Sequence, residues 1–314
     1  MNNRRTWLFT AAGALLAACN RSNRKTIAVI PKGTSHVFWV AVESGTVAAG
    51  KDFKVNIEWN GPPTETDYSR QIEILDSMVA RHVDGIAVAA SERKILTGGL
   101  DRAAAAGIPV TVFDSGVDST NYMSYVATDN VEAGRLSART LAALLGGKGQ
   151  IAVMMHAPGS ASTMDREKGF DEVIGRDFKN IEIVARQYGM SDRAKARAAV
   201  ENILTAHPDL DGMFCSSEPS SVGAALAVKA RNAAGRVKLV AFDSSESMID
   251  GLRDGTISAM VVQDPFKMGY EAVKTLVDKL NGKTPPRRID LNARVVQKAD
   301  LEKAEIKQLL MIKT

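Results

Sequence analysis

Two aspartates in similar surroundings are the residues of this chain with the clearest potential for chemistry. Asp114 follows the apolar run 107–113, and Asp243 follows the apolar run 237–242; each stands within the tripeptide Phe-Asp-Ser. A carboxylate at the tip of a buried strand can accept hydrogen bonds from ligand hydroxyls, or it can cap the helix that follows. Because both copies occupy matching places, the pattern favours a binding site to which each copy contributes one carboxylate.

The tripeptide belongs to an internal repeat. Residues 27–29 (Ile-Ala-Val) return as residues 151–153, and residues 83–86 (Val-Asp-Gly-Ile) correspond to residues 210–213 (Leu-Asp-Gly-Met). The separation between matching positions changes by only a few residues along the chain. The simplest interpretation is two similar lobes that face each other across a cleft, each with one aspartate at a strand tip.

Alternating strands and helices are expected to position these aspartates. β-Branched runs bounded by Gly and Pro predict strands, and apolar residues at helical spacing predict the helices between them. In the first half the predicted strands are 26–30, 55–59, 86–90, 110–113 and 122–127, and the predicted helices start near residue 35 and span 64–81 and 93–106. In the second half the predicted helices are 131–145, 163–174, 192–206, 220–232 and 247–253, and the predicted strands are 151–155, 181–186, 212–215 and 237–242. We predict an α/β protein of two similar Rossmann-like lobes, with parallel strands and ligand contacts at their carboxyl ends.

The last part of the chain predicts a return to the first lobe. A strand at 257–262 precedes an amphipathic helix at 266–280, although the second half already has a full set of strands. We therefore expect short crossings between the lobes near Thr128, Asp264 and Asn292, which together would act as a hinge. The predicted divisions are a signal peptide at 1–19, a linker at 20–25, a first lobe of 26–128 plus 264–292, and a second lobe of 129–263 plus 293–314.

The first 19 residues have the features of an export signal. Arg4 and Arg5 precede the apolar run 7–18, which is too short to span a bilayer. The segment ends Leu-Ala-Ala-Cys and resembles the lipobox of bacterial lipoproteins, which predicts that Cys19 is the lipidated first residue of the mature chain. We expect an exported protein, lipid-anchored to a membrane, in the periplasm or at the cell surface. The Sec and twin-arginine export routes both stay open.

Composition argues against several classes of function. A formal net charge of +4 over 314 residues does not indicate a nucleic-acid-binding surface. Cys19, once lipidated, leaves Cys215 without a disulfide partner. Motifs of the Gly-x-Ser-x-Gly and His-Glu-x-x-His types are absent from the sequence, and its 4 histidines lack metal-binding spacing. We expect a monomeric binding protein without metal or cofactor, not an enzyme.

Further candidate residues lie near the two aspartates. Lys32 follows the first strand, and its ammonium group can donate to ligand hydroxyls while the aspartates accept from them. The rings of Phe38 and Trp39 could cover the apolar face of a sugar, although helical spacing also favours a core position for Phe38. His156 follows the matching strand of the second half, whereas His36 is expected to be a polar surface residue.

The chain resembles the periplasmic sugar-binding proteins of ABC importers, of the ribose-binding-like type with the type I fold. The similarity covers nearly the whole mature chain and rests on residues 27–32, Phe38, Trp39, 84–88, 108–115, 129–130, 166–170, 242–243 and Gln263. It implies a two-lobed receptor that delivers a small polyhydroxylated ligand to ABC permease subunits. The ligand contacts predicted in this way are Lys32, Phe38, Trp39, Ser91, Asp114, Ser115, Asp165, Arg166, Ser217, Phe242, Asp243 and Gln263.

The predicted site departs from that of ribose binders. Ser115 and Met164 stand where the resemblance places arginines, and Ala89 and Ser217 stand where it places asparagines. Fewer bidentate contacts are therefore expected than in a ribose site.

Three short motifs are closer to the rhamnose-binding and autoinducer-2-binding branch: Pro31-Lys32, Gly61-Pro62 and residues 113–115. In that branch Lys32 and Asp114 would hold ligand hydroxyls, with Asp165 and Arg166 near the wall of the second lobe. The alternative functions are a receptor that senses a sugar or autoinducer-2, and a repressor-type ligand-binding domain. A repressor would need a DNA-reading helix pair where this chain has its export signal.

Overall fold

The computed structural model describes residues 24–311 of the chain. The first part contains strands β1 (Thr26–Ile30), β2 (Asn56–Trp59), β3 (Gly85–Val88), β4 (Val110–Phe113) and β5 (Ser124–Thr128), with helices α1 (Val37–Asp52), α2 (Tyr68–Ala80) and α3 (Thr97–Ala105) between them. The middle part contains helices α4 (Asn130–Leu144), α5 (Ala161–Asp177), α6 (Arg193–Ala206), α7 (Glu218–Ala230) and α8 (Glu246–Asp254), and strands β6 (Lys148–Met155), β7 (Asn180–Tyr188), β8 (Gly212–Cys215), β9 (Lys238–Phe242) and β10 (Ala259–Val262). The last part contains α9 (Pro265–Leu280), β11 (Arg288–Leu291), β12 (Arg294–Val296), a 3₁₀ turn at Lys298–Asp300 and α10 (Ala304–Leu309).

The strands form two six-stranded sheets with the same order. The first sheet runs β2-β1-β3-β4-β5-β11, and the second runs β7-β6-β8-β9-β10-β12. We call each sheet, with the helices packed on it, a lobe. The order 2-1-3-4-5 within each sheet is that of a doubly wound α/β protein, in which ligands bind at the carboxyl ends of the strands. The predicted fold class, two similar α/β lobes, is confirmed.

Three short connections join the two sheets. They lie between β5 and α4, between β10 and α9, and between β11 and β12, and each is one or two residues long. Helix α4 packs on β8, β9 and β10 of the second sheet, whereas α9 packs on β3, β4 and β5 of the first. Each lobe therefore contains one helix that directly follows a crossing from the other sheet.

Strand β12 is antiparallel to its neighbour β10, unlike the other strand pairs, which are parallel. The parallel strands end at the edge from which the chain crosses. A chain that leaves β11 there and enters the second sheet within two residues must run away from that edge. The expectation of parallel pairing throughout is therefore wrong at this pair, and β11, β12 and α10 are elements that the sequence pattern did not predict. These edge strands are short and carry exposed charged residues, so they lack the apolar runs that mark the other strands.

Both sheets are covered by helices on their two faces. In β1, Ile27 and Val29 pack into one core of the first lobe, while Ala28 and Ile30 pack into the core on the opposite face. Alternate residues of a strand point to opposite sides, so a strand covered twice becomes apolar along its whole length. This burial explains why the central strands could be predicted from continuous apolar runs.

The repeated aspartates have the same backbone geometry in both lobes. Asp114 has φ 56° and Asp243 has φ 70°, in the left-handed region that aspartate tolerates better than most residues. Each donates its backbone N–H to the neighbouring strand at 2.9 Å, Asp114 to Val126 and Asp243 to Val261. The chain therefore turns sharply at the same position in both lobes, directly after the strand ends.

Glycines allow the closest contacts between helices. A Cβ atom at Gly169 of α5 would overlap the carbonyl oxygen of Val131 at the start of α4. In the other lobe, a Cβ at Gly45 of α1 would overlap the carbonyl oxygen of Phe266 in α9. The repeat thus extends to helix packing, because each lobe holds its crossed-over helix through backbone contact at a glycine.

Candidate functional site

The two lobes enclose a small polar cavity at the carboxyl ends of their strands. Its volume is about 30 Å³, enough for about one water molecule. The first lobe contributes Lys32, His36, Phe38, Trp39, Glu65 and Asp114, and the second lobe contributes His156, Ser162, Thr163, Arg166, Ser217, Glu218, Pro219 and Asp243, with Gln263 at a crossing. Residues distant in sequence thus converge on one enclosed space between the lobes.

Eight of the twelve predicted ligand contacts line this cavity: Lys32, Phe38, Trp39, Asp114, Arg166, Ser217, Asp243 and Gln263. The other four do not. Ser91 donates a hydrogen bond to the Lys32 carbonyl at 3.2 Å. The Phe242 ring stacks against the Arg166 guanidinium, with its centroid 3.9 Å from Arg166 Cζ. Asp165, the residue before Arg166 in α5, is exposed to solvent. Ser115 accepts a hydrogen bond from the Ser162 N–H across the cleft at 3.3 Å.

Direct contacts between the lobes show that they are closed on each other. Besides the bond at Ser115, the Arg93 N–H donates to the carbonyl of Gly159 at 3.0 Å. Closed lobes keep solvent away from the cavity and so strengthen its electrostatic interactions.

Lys32 is the buried cation of the first lobe. It is 4% exposed, donates to the Ser160 hydroxyl at 3.1 Å, and lies 3.4 Å from a Glu65 carboxylate oxygen and 3.6 Å from an Asp114 carboxylate oxygen. Burial alone would raise the pKa of Glu65, but Lys32 and His156 together hold it well below its usual range. Burial raises the pKa of Asp114, and the charges of Lys32 and Arg166 compensate this only in part. One cation thus serves two carboxylates.

Glu65 connects the lobes through His156. The Glu65 carboxylate accepts a hydrogen bond from Trp39 Nε1 at 2.9 Å, and its other oxygen lies 3.0 Å from His156 Nε2. Burial lowers the pKa of His156, so the ring is neutral at pH 7 and its Nε2–H donates to the carboxylate. On the other side of the ring, His156 Nδ1 lies 3.0 Å from the Ser217 hydroxyl.

The two aromatic rings have different depths. Trp39 is 1% exposed and packs in the core of the first lobe, whereas the Phe38 ring is half-buried and meets it edge to face with centroids 5.0 Å apart. The sequence favours a core position for Phe38, but Trp39 is the residue that is fully buried there. α1 begins at Val37, and this phase directs position 39 into the lobe.

His36 also differs from the sequence interpretation. The sequence predicts it at the surface, but it is 8% exposed and lines the cavity. Its Nε2 lies 3.2 Å from the Ser191 hydroxyl, and its Nδ1 lies 3.6 Å from Glu218 Oε2 in the second lobe. The surface interpretation is wrong because closure brings the second lobe over the residue that precedes α1.

Arg166 and Gln263 are held by fixed hydrogen bonds. Arg166 donates to Asn130 Oδ1 at 2.8 Å and to the Ser216 carbonyl at 3.0 Å. Gln263 donates to Asp243 at 2.6 Å and accepts from the Thr128 hydroxyl at 2.6 Å. Because Thr128 and Gln263 each stand next to a crossing, this bond couples Asp243 to the hinge.

Glu65 and Glu218 are the main site residues that the sequence pattern did not predict. Glu65 lies within the helix predicted over 64–81, but α2 begins only at Tyr68 after the cap Asp67. The signal that could have found Glu65 is its position, two residues after the Gly61-Pro62-Pro63 turn that follows β2. Glu218 follows Ser217 as Glu92 follows Ser91 in the first lobe, so the internal repeat includes this pair. Glu92, however, accepts the N–H of Lys94 and does not line the cavity.

Glu167 lies behind the cavity and gives a pH-dependent prediction. Burial raises the pKa of its carboxyl to about 7, although the Ser216 hydroxyl and the His156 N–H donate to it. A carboxyl with a raised pKa stabilises the fold below its unfolded pKa and loses that contribution as the pH rises through its folded pKa. In Glu167→Gln the amide oxygen can accept both bonds without a charge.

We expect Glu167→Gln to be as stable as the parent near pH 5 and more stable by roughly 2–3 kcal/mol at pH 8. Urea unfolding at both pH values measures the difference. A constant difference between pH 5 and pH 8 would contradict the placement of a buried, titrating carboxyl at this position.

The fold and the enclosed cavity define a two-lobed ligand-binding protein. Residues 27–284 match the family described as periplasmic binding protein domain, and the chain belongs to that family. It is therefore a binding protein and not an enzyme, and the resemblance to periplasmic binding proteins is confirmed.

Individual relatives are similar over most of the chain. The ribose import binding protein of Bacillus subtilis is 26% identical over 275 residues, which are 86% of this chain and 87% of that protein. A carbohydrate transporter solute binding protein from Agrobacterium radiobacter, solved with D-arabinose, has TM-score 0.90 and 31% identity and covers 92% of this chain and 99% of its own. An ABC transporter solute binding protein from Agrobacterium vitis, solved with bound D-fucose, has TM-score 0.88 and 34% identity and covers 91% of this chain and 99% of its own. Kinship to the rhamnose and autoinducer-2 branch stays a prediction.

Cys19 and the rest of the export signal lie outside the described residues. Within residues 24–311, no helix combines the length and apolarity needed to cross a bilayer. The same residues contain no group of His, Cys, Asp and Glu side chains that could hold a metal ion.

Proposed function

We propose that this protein captures a monosaccharide between its lobes and delivers it to an ABC permease. The carrying observation is the convergence of Asp114, Asp243 and Lys32, on matching strand ends of two lobes, in one enclosed cavity. Carboxylates accept and the ammonium group donates, and a sugar hydroxyl can do both. The ligands of the relatives, ribose, D-arabinose and D-fucose, support this class of ligand.

Binding requires the lobes to separate and close again. Pockets for small molecules usually measure roughly 300–1,000 Å³, far more than the cavity of about 30 Å³. The proposed lobes, residues 26–128 plus 264–292 and residues 129–263 plus 293–314, would rotate about the three short connections. Reclosure around the sugar would bury its hydroxyls, and each buried carboxylate left without a hydroxyl would weaken binding, which gives selectivity.

The test is calorimetric titration of the purified protein with pentoses, hexoses, deoxyhexoses, polyols and autoinducer-2. We expect at least one monosaccharide to bind at micromolar concentration or below, together with a decrease in radius of gyration by small-angle scattering. The proposal is wrong if every sugar fails to bind at millimolar concentration. Tight binding of autoinducer-2 alone would move the function to the sensing alternative.

We also propose that the protein is exported and anchored by a lipid on Cys19. The apolar run at 7–18 and the Leu-Ala-Ala-Cys sequence before the polar spacer support this placement. Metabolic labelling with a fatty acid should mark the parent protein and leave Cys19→Ser unlabelled. Equal labelling of the two would contradict the anchor.

A further inference from the structure

Three buried side-chain atoms of the cavity lack a hydrogen-bond partner. Within residues 24–311, the buried atoms without such a partner are Asp114 Oδ2, Glu218 Oε2 and Ser162 Oγ. Asp114 is 3% exposed, Glu218 is 1% exposed, and all three residues line the cavity between the lobes. Buried polar groups are nearly always paired, so these atoms indicate where a ligand binds.

The chemistry of these atoms restricts the ligand. An ionised carboxylate oxygen only accepts hydrogen bonds. Two of the three atoms are carboxyl oxygens, and burial raises the pKa of both groups. Hydrogen-bond donors on the ligand would favour their ionised, accepting form, whereas the Ser162 hydroxyl can donate as well as accept. The complementary ligand must therefore present at least two donors at these positions, more than it presents acceptors.

Charge restricts the ligand further on the Asp114 side. Four carboxylates line the cavity, those of Glu65, Asp114, Glu218 and Asp243, against the two permanent cations Lys32 and Arg166. Arg193 does not line the cavity, but its half-exposed side chain forms a salt bridge with Glu218.

The positive charges near the carboxylates of the cavity are unevenly distributed. Lys32 is shared between Glu65 and Asp114, and the neighbouring His156 is neutral. Arg166 is directed to Asn130 and to a backbone carbonyl. Burial raises the pKa of Asp114 because Lys32 and Arg166 compensate its charge only in part, so a further positive charge beside it would favour the ionised form.

We propose, on the basis of the proposed function, that the preferred ligand is an amino sugar, with its ammonium group at Asp114 Oδ2 and a hydroxyl at Glu218 Oε2. An ammonium group supplies three donors and a further positive charge. A charge-assisted hydrogen bond in an enclosed site is stronger than one between neutral groups. The neutral parent sugar would bring no positive charge to Asp114 after closure.

The test compares matched pairs of ligands by calorimetry. The pairs are glucose with glucosamine, galactose with galactosamine, 3-amino-3-deoxyglucose with glucose, and 1-amino-1-deoxysorbitol with sorbitol. We expect one amino compound to bind at least about tenfold more tightly than its parent. Parents that bind as tightly as every amino partner would overturn the inference and leave the proposed function standing. Failure of all compounds and of every neutral sugar would overturn the proposed function itself.

The variant Asp114→Asn tests the placement of the ammonium group. Asparagine also tolerates the left-handed backbone of this position, so the turn after β4 is expected to persist. The ratio of affinities between amino sugar and parent should fall to about threefold or less in this variant. A ratio that stays at the parental value would overturn the assignment to Asp114, and a thermal unfolding transition confirms that the variant is folded.

Discussion

Replacing Lys32 with methionine is expected to weaken binding of the tightest neutral sugar, whose hydroxyls the ammonium group would meet as a donor, by about a hundredfold or more. The ammonium group is buried and is the closest cation to both Glu65 and Asp114, at 3.4 Å and 3.6 Å. Removal of one partner from a buried charge pair costs about 3–5 kcal/mol, because the remaining charge is left uncompensated. A hundredfold loss of affinity corresponds to about 2.8 kcal/mol, slightly less than the full cost of breaking the pair. Calorimetric titration with the same sugar measures it.

Lys51 offers a matched control for this substitution. It is exposed at the end of α1 in the same lobe, and Lys51→Met should bind the sugar with unchanged affinity. If Lys32→Met stays within about threefold of the parent, the ammonium group does not hold the ligand-binding carboxylates.

The same substitution should change the dependence of stability on pH. Glu65 has a depressed pKa, so its contribution is present above the unfolded pKa and is lost as the pH falls through the folded pKa. Without Lys32 the pKa of Glu65 should rise, and the loss should occur at higher pH than in the parent. Thermal unfolding between pH 3 and pH 7 distinguishes the two curves.

Replacing Gly169 with alanine is expected to destabilise the second lobe by about 2–4 kcal/mol. The new Cβ would overlap the carbonyl oxygen of Val131 and approach the backbone nitrogen of Arg135, and neither is the mobile end of a side chain. Helices α4 and α5 would have to move apart along their contact. Urea unfolding of the variant measures the loss.

Gly175 is the control within the same helix. It is exposed in α5, and no atom of another element lies within 4 Å of the position that a Cβ would take there. Gly175→Ala should leave the protein unchanged or stabilise it by up to about 1 kcal/mol, because alanine favours the helix. Equal effects at the two positions would mean that the helices are not in backbone contact at Gly169.

The central strands and both aspartates could be predicted because their signals are local. A strand covered on two faces is apolar along its length, and Asp114 and Asp243 stand where such runs stop. The repeat then related the two strand ends without knowledge of the fold. Strands β11 and β12 escaped prediction because they are only four and three residues long and carry exposed charged residues, so no apolar run marks them.

The remaining site residues depend on closure, which local patterns do not encode. His36 is buried only because the second lobe covers it, and Glu65 is charged only because Lys32 and His156 face it. Trp39 is more deeply buried than Phe38 because α1 starts at Val37 and turns position 39 toward the core. A start one residue earlier or later would change which ring faces the core. Contacts between lobes and helix phase therefore limited the prediction of the site more than residue identity did.

The crystal structure of the protein with its tightest monosaccharide tests the central claim most directly. We expect the sugar to lie between the lobes, with hydroxyl or amine groups within hydrogen-bond distance of Asp114 and Asp243, near the Lys32 ammonium group. A sugar bound outside this cavity, or one inside it that contacts neither aspartate, would contradict the account.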